Sequence, residues 1–302
     1  YEERNWICNE TVLCGDLGTP GDSTDNSYHV VTTINADTTT TIDGFIVRDG
    51  NASGGPVSFG TDGGGWINIA NIDSSSSPTI LNTVICNNHA FFTGGGFANL
   101  PQQGGSFTAE CRPLLINCAI QGNTALNGGG LANSGFFGLS SLEMINCIVS
   151  GNRASAFGGG IFNYASDGES YATLTNCVIS GNAAVSGGGT GNSAFGDNDI
   201  CEVSHVNTIY WNNVAVSGPA FLNLDAICSF QNSIIQPDNT EMFDDDGNNL
   251  FENPQFISAP EGDEAPTCEG DFHLKYFSIG VNKGYNAAND EYPVDPDRNQ
   301  RI

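Results

Sequence analysis

The segment Asp244-Asp245-Asp246-Gly247-Asn248-Asn249 groups hard oxygen donors around a glycine turn, a donor set that suits a calcium ion. Asp244, Asp246 and Asn248 are the candidate ligands. The run lacks the closing Glu of an EF-hand loop, and Asp-Gly-Asn is also an ordinary turn sequence. Ten cysteines offer a second chemistry, without the paired Cys-x-x-Cys spacing of zinc sites. Cys118, Cys147 and Cys177 recur at one phase of a repeat and read as small, buried, reduced thiols. Cys201 and Cys228 stand six and four residues before Asn207 and Asn232, a phase that predicts stacked neighbours joined by a disulfide. Cys8 and Cys14 are a candidate local pair, whereas Cys86, Cys111 and Cys268 have no evident partner.

Polysaccharide cleavage is the third chemistry to weigh. A lyase acting on uronates needs an Arg or Lys base and carboxylates that hold calcium. Within the regular repeats the only basic side chains are Arg112 and Arg153, at different phases. A hydrolase needs two carboxylates flanking the scissile bond, yet the strand positions carry mainly Ser, Thr, Asn and Val. His29, His89, His205 and His273 share no phase and read as structural or solvent-facing. Phe91-Phe92, Phe136-Phe137 and Phe157 sit near glycine bends. They fit an exposed aromatic strip or packed loop residues, and packing is the expectation.

The elements that must position these side chains are repeats. A triple glycine followed by two residues and Asn begins at Gly63, Gly94, Gly128, Gly158 and Gly187, at spacings of 31, 34, 30 and 29 residues. That period marks a solenoid. A second motif keeps the same beat: Asn117-Cys118 to Gly122-Asn123, Asn146-Cys147 to Gly151-Asn152, and Asn176-Cys177 to Gly181-Asn182, with degenerate copies at Asn82, Asn207 and Asn232. In Ala172 to Ser180 the alternation points Leu174 inward, breaks at Asn176, and resumes with Cys177 and Ile179 inward. Period two on both sides of one Asn means two short strands joined by a tight bend. Asn tolerates the left-handed backbone such a bend requires. Stacking the coils predicts an all-β, right-handed parallel β-helix of about 30 residues per coil. Cys118, Cys147 and Cys177 form one inward ladder, with Ile85, Ile120, Val149, Ile179 and Tyr210 in another. Asn123, Asn152, Asn182 and Asn212 are expected to form a column.

Composition narrows the function. The 302 residues carry 34 acidic and 8 basic side chains, a formal charge of −26. Binding nucleic acid relies on Lys and Arg to displace counterions, so that class is excluded. No apolar run reaches the roughly 18 residues of a membrane span. Glycine at 39 residues, with two methionines and two lysines, argues against a helical protein.

The G-G-G-[FLI]-x-N and N-C-x-[IV]-x-G-N elements resemble repeats of bacterial right-handed β-helix surface proteins. They are similar to the G-G-A-[IL] and F-x-x-N repeats of polymorphic outer-membrane proteins. The flanks resemble secreted β-helix proteins of the choice-of-anchor Q type: Arg4-Asn5-Trp6, Val12 to Gly18, Asn26 to Val31 and Ile42 to Phe45 at one end. Asn253 to Phe256, Gly270 to Leu274 and Asp297 to Ile302 do so at the other. The resemblance implies a secreted or cell-surface bacterial protein, a chain continuing to an anchor, and no defined activity.

One continuous domain is expected: first coils with inserts over 1–60, regular repeats over 61–235, and an acidic loop, final strand and cap over 236–302. The functional expectation is an extracellular structural or adhesive protein without catalysis. Its partner would be a surface polysaccharide, a protein or a second copy packed lengthwise, and calcium would relieve its self-repulsion. The alternative is a polysaccharide-binding or polysaccharide-cleaving β-helix.

Overall fold

A computed structural model describes residues 9–54, 60–102, 109–239 and 242–285. The described chain is an all-β parallel solenoid of about seven turns, each of about 31 residues, with no α-helix. One coil illustrates all of them. Strand Leu131–Phe136 belongs to a seven-stranded sheet, here sheet one. Leu139–Ile145 belongs to the ten-stranded sheet two, and Ile148–Ser150 to the eight-stranded sheet three. Arg153–Phe157 belongs to a short four-stranded sheet before the glycine bend returns the chain to sheet one. Every strand pair in these four sheets is parallel, so each coil hydrogen-bonds to the next at the roughly 4.8 Å strand spacing.

The bends arise from residue type. Asn117, Asn146, Asn176 and Asn207 have φ of 54°, 56°, 56° and 54°, the left-handed region that Asn enters at modest cost. At the triple glycine of the same coil, Gly128 has φ 61°, and a Cβ on Gly130 would lie 2.9 Å from the Asn152 amide. A side chain at either position would strain the bend or displace the Asn behind it.

The interior is a set of ladders. Ile85, Ile120, Val149, Ile179 and Tyr210 stack in register and are fully buried. Cys118, Cys147 and Cys177 are free thiols with relative exposures of 1%. Burial pushes the Cys147 thiol well above its ordinary pKa, which keeps it protonated. Toward the last coil the filling becomes aromatic, with Tyr210, Phe221 and Phe230 fully buried and Phe243 packed edge-on against the two phenylalanines.

Two polar columns run through the same interior. Asn68, Asn99, Asn133, Asn163, Asn192 and Asn223 lie in register in sheet one; amide bonds link Asn68, Asn99 and Asn133, as in Asn68 Nδ2 to Asn99 Oδ1 at 2.8 Å, and Asn163, Asn192 and Asn223, while Asn133 Nδ2 turns to Ser170 Oγ and Tyr171 O. The second column departs from the expected membership. It consists of Asn88, Asn123, Asn152, Asn182 and Asn213, ending on Gln236, and Asn212 is not in it. Asn212 occupies the left-handed place that Gly122, Gly151 and Gly181 fill in earlier coils, with φ 57°. Both Asn and Gly accept that backbone, which hides the one-residue offset in the sequence.

The acidic segment and the residues after it differ from a simple cap. Asp244–Asp245 form a short strand that extends sheet two beside Ser229 and Phe230. The chain then turns back as a strap along the outside of the solenoid. Pro260 O accepts from Asn212 Nδ2 at 3.3 Å, Thr267 N donates to Gly151 O at 2.9 Å, and Cys268 Sγ donates to Asn87 Oδ1 at 3.1 Å. Nine residues thus pass successive coils from Asn212 back to Asn87. Asp271–Leu274 then pairs antiparallel with Phe256–Ser258 to return the strap.

Candidate functional site

A groove of about 780 Å³ opens on the side of the solenoid, between the outward face of sheet one and the loops around the glycine bends. Strand Ile161–Ser166 supplies its centre. Phe162 and Tyr164 are two apart, so they project from the same strand face. Their register neighbours are small: Ala132 and Gly191 flank Phe162, and Ser134 and Ser193 flank Tyr164. One coil therefore carries rings that spread over the coils on either side. Phe157 lies 6.3 Å from Phe162, Phe162 lies 5.6 Å from Tyr164, and Tyr164 lies 5.4 Å from Phe195 between ring centroids. Phe136 joins at 6.4 Å from Tyr164. The result is a continuous aromatic wall, with Phe195 68% exposed.

Polar groups at the rim complement the wall. Gln102, Asn127, Ser134 and Ser193 contribute amides and hydroxyls. Asp62 is the only ionisable acid or base among the lining residues apart from the Tyr164 phenol. Burial raises its pKa, while hydrogen bonds from Thr93 and Thr61 oppose that shift. Its Oδ1 accepts from Thr93 N at 3.1 Å and Thr93 Oγ1 at 2.6 Å, so this carboxylate is already committed to holding the bend. No second carboxylate and no Lys or Arg lines the groove among the described residues. Such a surface can stack on flat or ring-shaped apolar faces and bond to hydroxyls at its edges.

The expectation of packed loop phenylalanines is thus revised. Phe91 and Phe92 are 61% and 48% exposed, and Phe92, Phe136 and Phe157 line the groove. Sequence reading missed Phe162, Tyr164 and Phe195. The signal available was an aromatic-x-aromatic pair on an outward strand face whose neighbours one repeat away are Ala, Gly or Ser.

The other candidates lie apart from the groove. Asp244, Asp245 and Asp246 are exposed, and Asp245 Oδ1 accepts from Gly247 N at 2.9 Å and Asn249 Nδ2 at 2.7 Å, an Asx turn. No group of three or more His, Cys, Asp or Glu among the described residues is arranged to hold a metal ion. Cys201 and Cys228 are not bridged, and both are free thiols. Cys201 stacks on Ser170, whereas Cys228 stacks on Val203, two residues further along the strand. That offset of roughly 7 Å along the chain separates their ladders. Burial raises the Cys201 thiol to about 12. Cys14 donates to Asp49 Oδ2 at 3.3 Å, and Cys8 lies outside the described residues.

Arg112 pairs with Glu110 at 3.0 Å in solvent, and Arg153 reaches the strap at Ala265 O, so the two basic side chains do not converge. His29 and His89 bond to Gly63 O and Thr124 Oγ1, and His273 pairs with Asp271 at the surface. His205 is enclosed in the core between Tyr210 and Phe230, far from any solvent-facing role. No helix of the described chain is long and apolar enough to cross a membrane. No protein-family model matches this chain, and no curated protein matches it.

Proposed function

We propose that this protein is an extracellular, non-catalytic β-solenoid of the bacterial surface type that adheres to a neutral polysaccharide through the aromatic groove. The aromatic wall carries the reading. Sugar rings present flat C–H faces that stack on aromatic rings, and their hydroxyls meet amides and hydroxyls at a rim of this kind. Charge selects the class of polymer: a chain of formal charge −26 with no cation lining the groove repels polyuronates. The lone buried carboxyl, Asp62, lacks the partner that glycoside hydrolysis requires. The resemblance of the flanking segments to choice-of-anchor proteins supports placement at the cell surface. Calcium belongs to this proposal as an ion shared among exposed carboxylates.

The test is retention of the protein in gels containing neutral polysaccharides, such as mixed-linkage glucan or xyloglucan, against polygalacturonate, with reducing ends assayed in parallel. Retention by a neutral polymer, lost in Tyr164→Ala, is the expected outcome. Retention by none of the neutral polymers removes the groove reading, and release of reducing ends removes the non-catalytic one.

A further inference from the structure

The tip of the strap places Cys268 against Cys86. Cys86 ends strand Val84–Cys86 of sheet three, in register with Gln121 of the next coil. Cys268 Sγ lies 3.1 Å from Asn87 Oδ1 and 3.5 Å from Gln121 O, so its sulfur sits over the seam between these two coils. The approach depends on a missing side chain: a Cβ on Gly122 would lie 2.5 Å from Cys268 Sγ. Lower on the strap, a Cβ on Gly151 would collide with Thr267 O, and one on Gly181 would lie 2.6 Å from Pro260 O. The glycines of the repeat thus serve both the left-handed bend and the close passage of the strap.

Both thiols are free, and Cys268 Sγ bonds to Asn87, the residue after Cys86, and to Gln121, the register partner of Cys86, which brings the two thiols to one seam. They are 182 residues apart in sequence, and among the described residues no disulfide ties the strap to the solenoid. We propose that Cys86 and Cys268 are an oxidisable clasp that closes into a disulfide and locks the strap onto the solenoid. The neighbouring Cys86 thiol lowers the pKa of Cys268 while that of Cys86 is raised, which makes Cys268 the attacking group. Cys268 is partly exposed and Cys86 is buried beneath it, so an oxidant meets Cys268 first.

The chemistry needs an external disulfide, for which glutathione disulfide serves. The Cys268 thiolate attacks one sulfur of the oxidant, its S–S bond breaks, and one glutathione thiolate leaves and takes up a proton. The Cys86 thiol then loses its proton to solvent and attacks Cys268 Sγ, which expels the second glutathione. Two protein thiols are oxidised and one disulfide is reduced to two thiols. Closing the bond sets the sulfurs about 2.05 Å apart. None of the seven other described cysteines lies at the strap, and an external oxidant does not reach the buried ones. Cys111, Cys118, Cys147, Cys177, Cys201 and Cys228 are buried in interior ladders, and Cys14 faces Asp49.

The experiment treats the native full chain with glutathione disulfide and follows intact mass and peptide maps. The expected product is a Cys86–Cys268 crosslinked peptide with no retained glutathione, and an unfolding midpoint raised by roughly 5 °C over the reduced protein. In Cys86→Ser the reaction stops at the mixed disulfide on Cys268, and in Cys268→Ser no crosslink to Cys86 forms. A wild-type protein that keeps glutathione on Cys268 overturns the clasp, as does one whose Cys268 does not react or a crosslink mapped to other cysteines.

Discussion

Two lateral faces of the solenoid arise from the same repeat and differ in what covers them. On the strap face, each coil presents a glycine, or Asn87 or Asn212 in its place, and the strap passes across this row from Pro260 to Cys268. Beneath it the column from Asn88 to Asn213 is at most 2% exposed. On the groove face, Phe162, Tyr164 and Phe195 stand where neighbouring coils carry Ala, Gly or Ser, and no part of the described chain covers Phe195. Small residues repeated in every coil build a surface the protein closes upon itself. Large residues placed once build a surface left for something else. The first arrangement serves stability and the second recognition, and single substitutions separate the two.

The largest effect is expected from Asn152→Ala on the covered side. Asn152 Oδ1 accepts from Asn123 N at 2.9 Å and Asn123 Nδ2 at 3.1 Å, and Asn152 Nδ2 donates to Ile120 O at 2.9 Å. Alanine removes these bonds and the one from Asn152 Nδ2 to Asn182 Oδ1, and leaves Asn123 N without its partner, so a loss of about 4 kcal/mol is expected. Denaturant unfolding measures it. A loss under about 1 kcal/mol means that water or repacking replaces the column, and its structural role fails.

The next effect is a pH dependence inside the aromatic end of the core. His205 is enclosed, stacks on Phe230 at 4.0 Å, and is pushed by burial from 6.5 down to about 4. Its Nδ1–H donates to Ser229 O at 2.9 Å, which leaves Nε2 to accept from the Tyr210 hydroxyl at 2.9 Å. The ring is therefore neutral in the fold, because burial opposes its charged form. Between about pH 6.5 and 4 the unfolded chain binds that proton and the folded chain does not, so stability is full above 6.5 and falls through this window. The drop approaches about 3 kcal/mol by pH 4. Comparing wild type with His205→Phe across the window isolates it from the carboxylates. Parallel pH profiles for the two proteins count against a neutral buried imidazole.

How much of this was legible in the sequence depends on what each part requires. Ladders need one residue type at one phase of every coil, so Cys118, Cys147 and Cys177, and the bend asparagines Asn117, Asn146 and Asn176, announce themselves. Errors arise where two types satisfy one constraint. Asn212 stands in a glycine's place, and Cys201 and Cys228 share a strand face but sit two residues out of phase. The strap left no period to find, since it bonds to carbonyls and amides that every coil possesses. Its trace was the glycine kept at 122, 151 and 181. The groove was illegible for the opposite reason, because its rings occur once and become neighbours only after the coils are in register.

A third substitution reads the open face. Phe195→Ala removes a ring that is 68% exposed and contacts Tyr164, so stability is expected to change by less than about 0.5 kcal/mol. Affinity for a retained neutral polysaccharide should fall about fivefold, the loss of one stacking contact. Titration calorimetry and a melt on the same sample supply both numbers. A destabilisation of more than about 2 kcal/mol would place the ring in the core and end the contrast between the faces.

The smallest effect concerns charge, which neither face organises. The carboxylates at Asp244, Asp245 and Asp246 are exposed, and Asp263 and Glu264 lie in an acidic turn of the strap. Exposed carboxylates hold calcium weakly, with dissociation constants on the order of 1 mM. At calcium near that concentration one such site stabilises the fold by RT ln 2, about 0.4 kcal/mol, and moves the melting midpoint by about 1 °C. Because long-range repulsion is screened by any salt, the comparison must be calcium against chelator at equal ionic strength. A shift near 1 °C fits ions shared among surface acids. No shift removes calcium from the account. A shift above about 5 °C would require a caged ion, which the Asx turn at Asp245 does not provide, and would move the metal to carboxylates brought together in some other way.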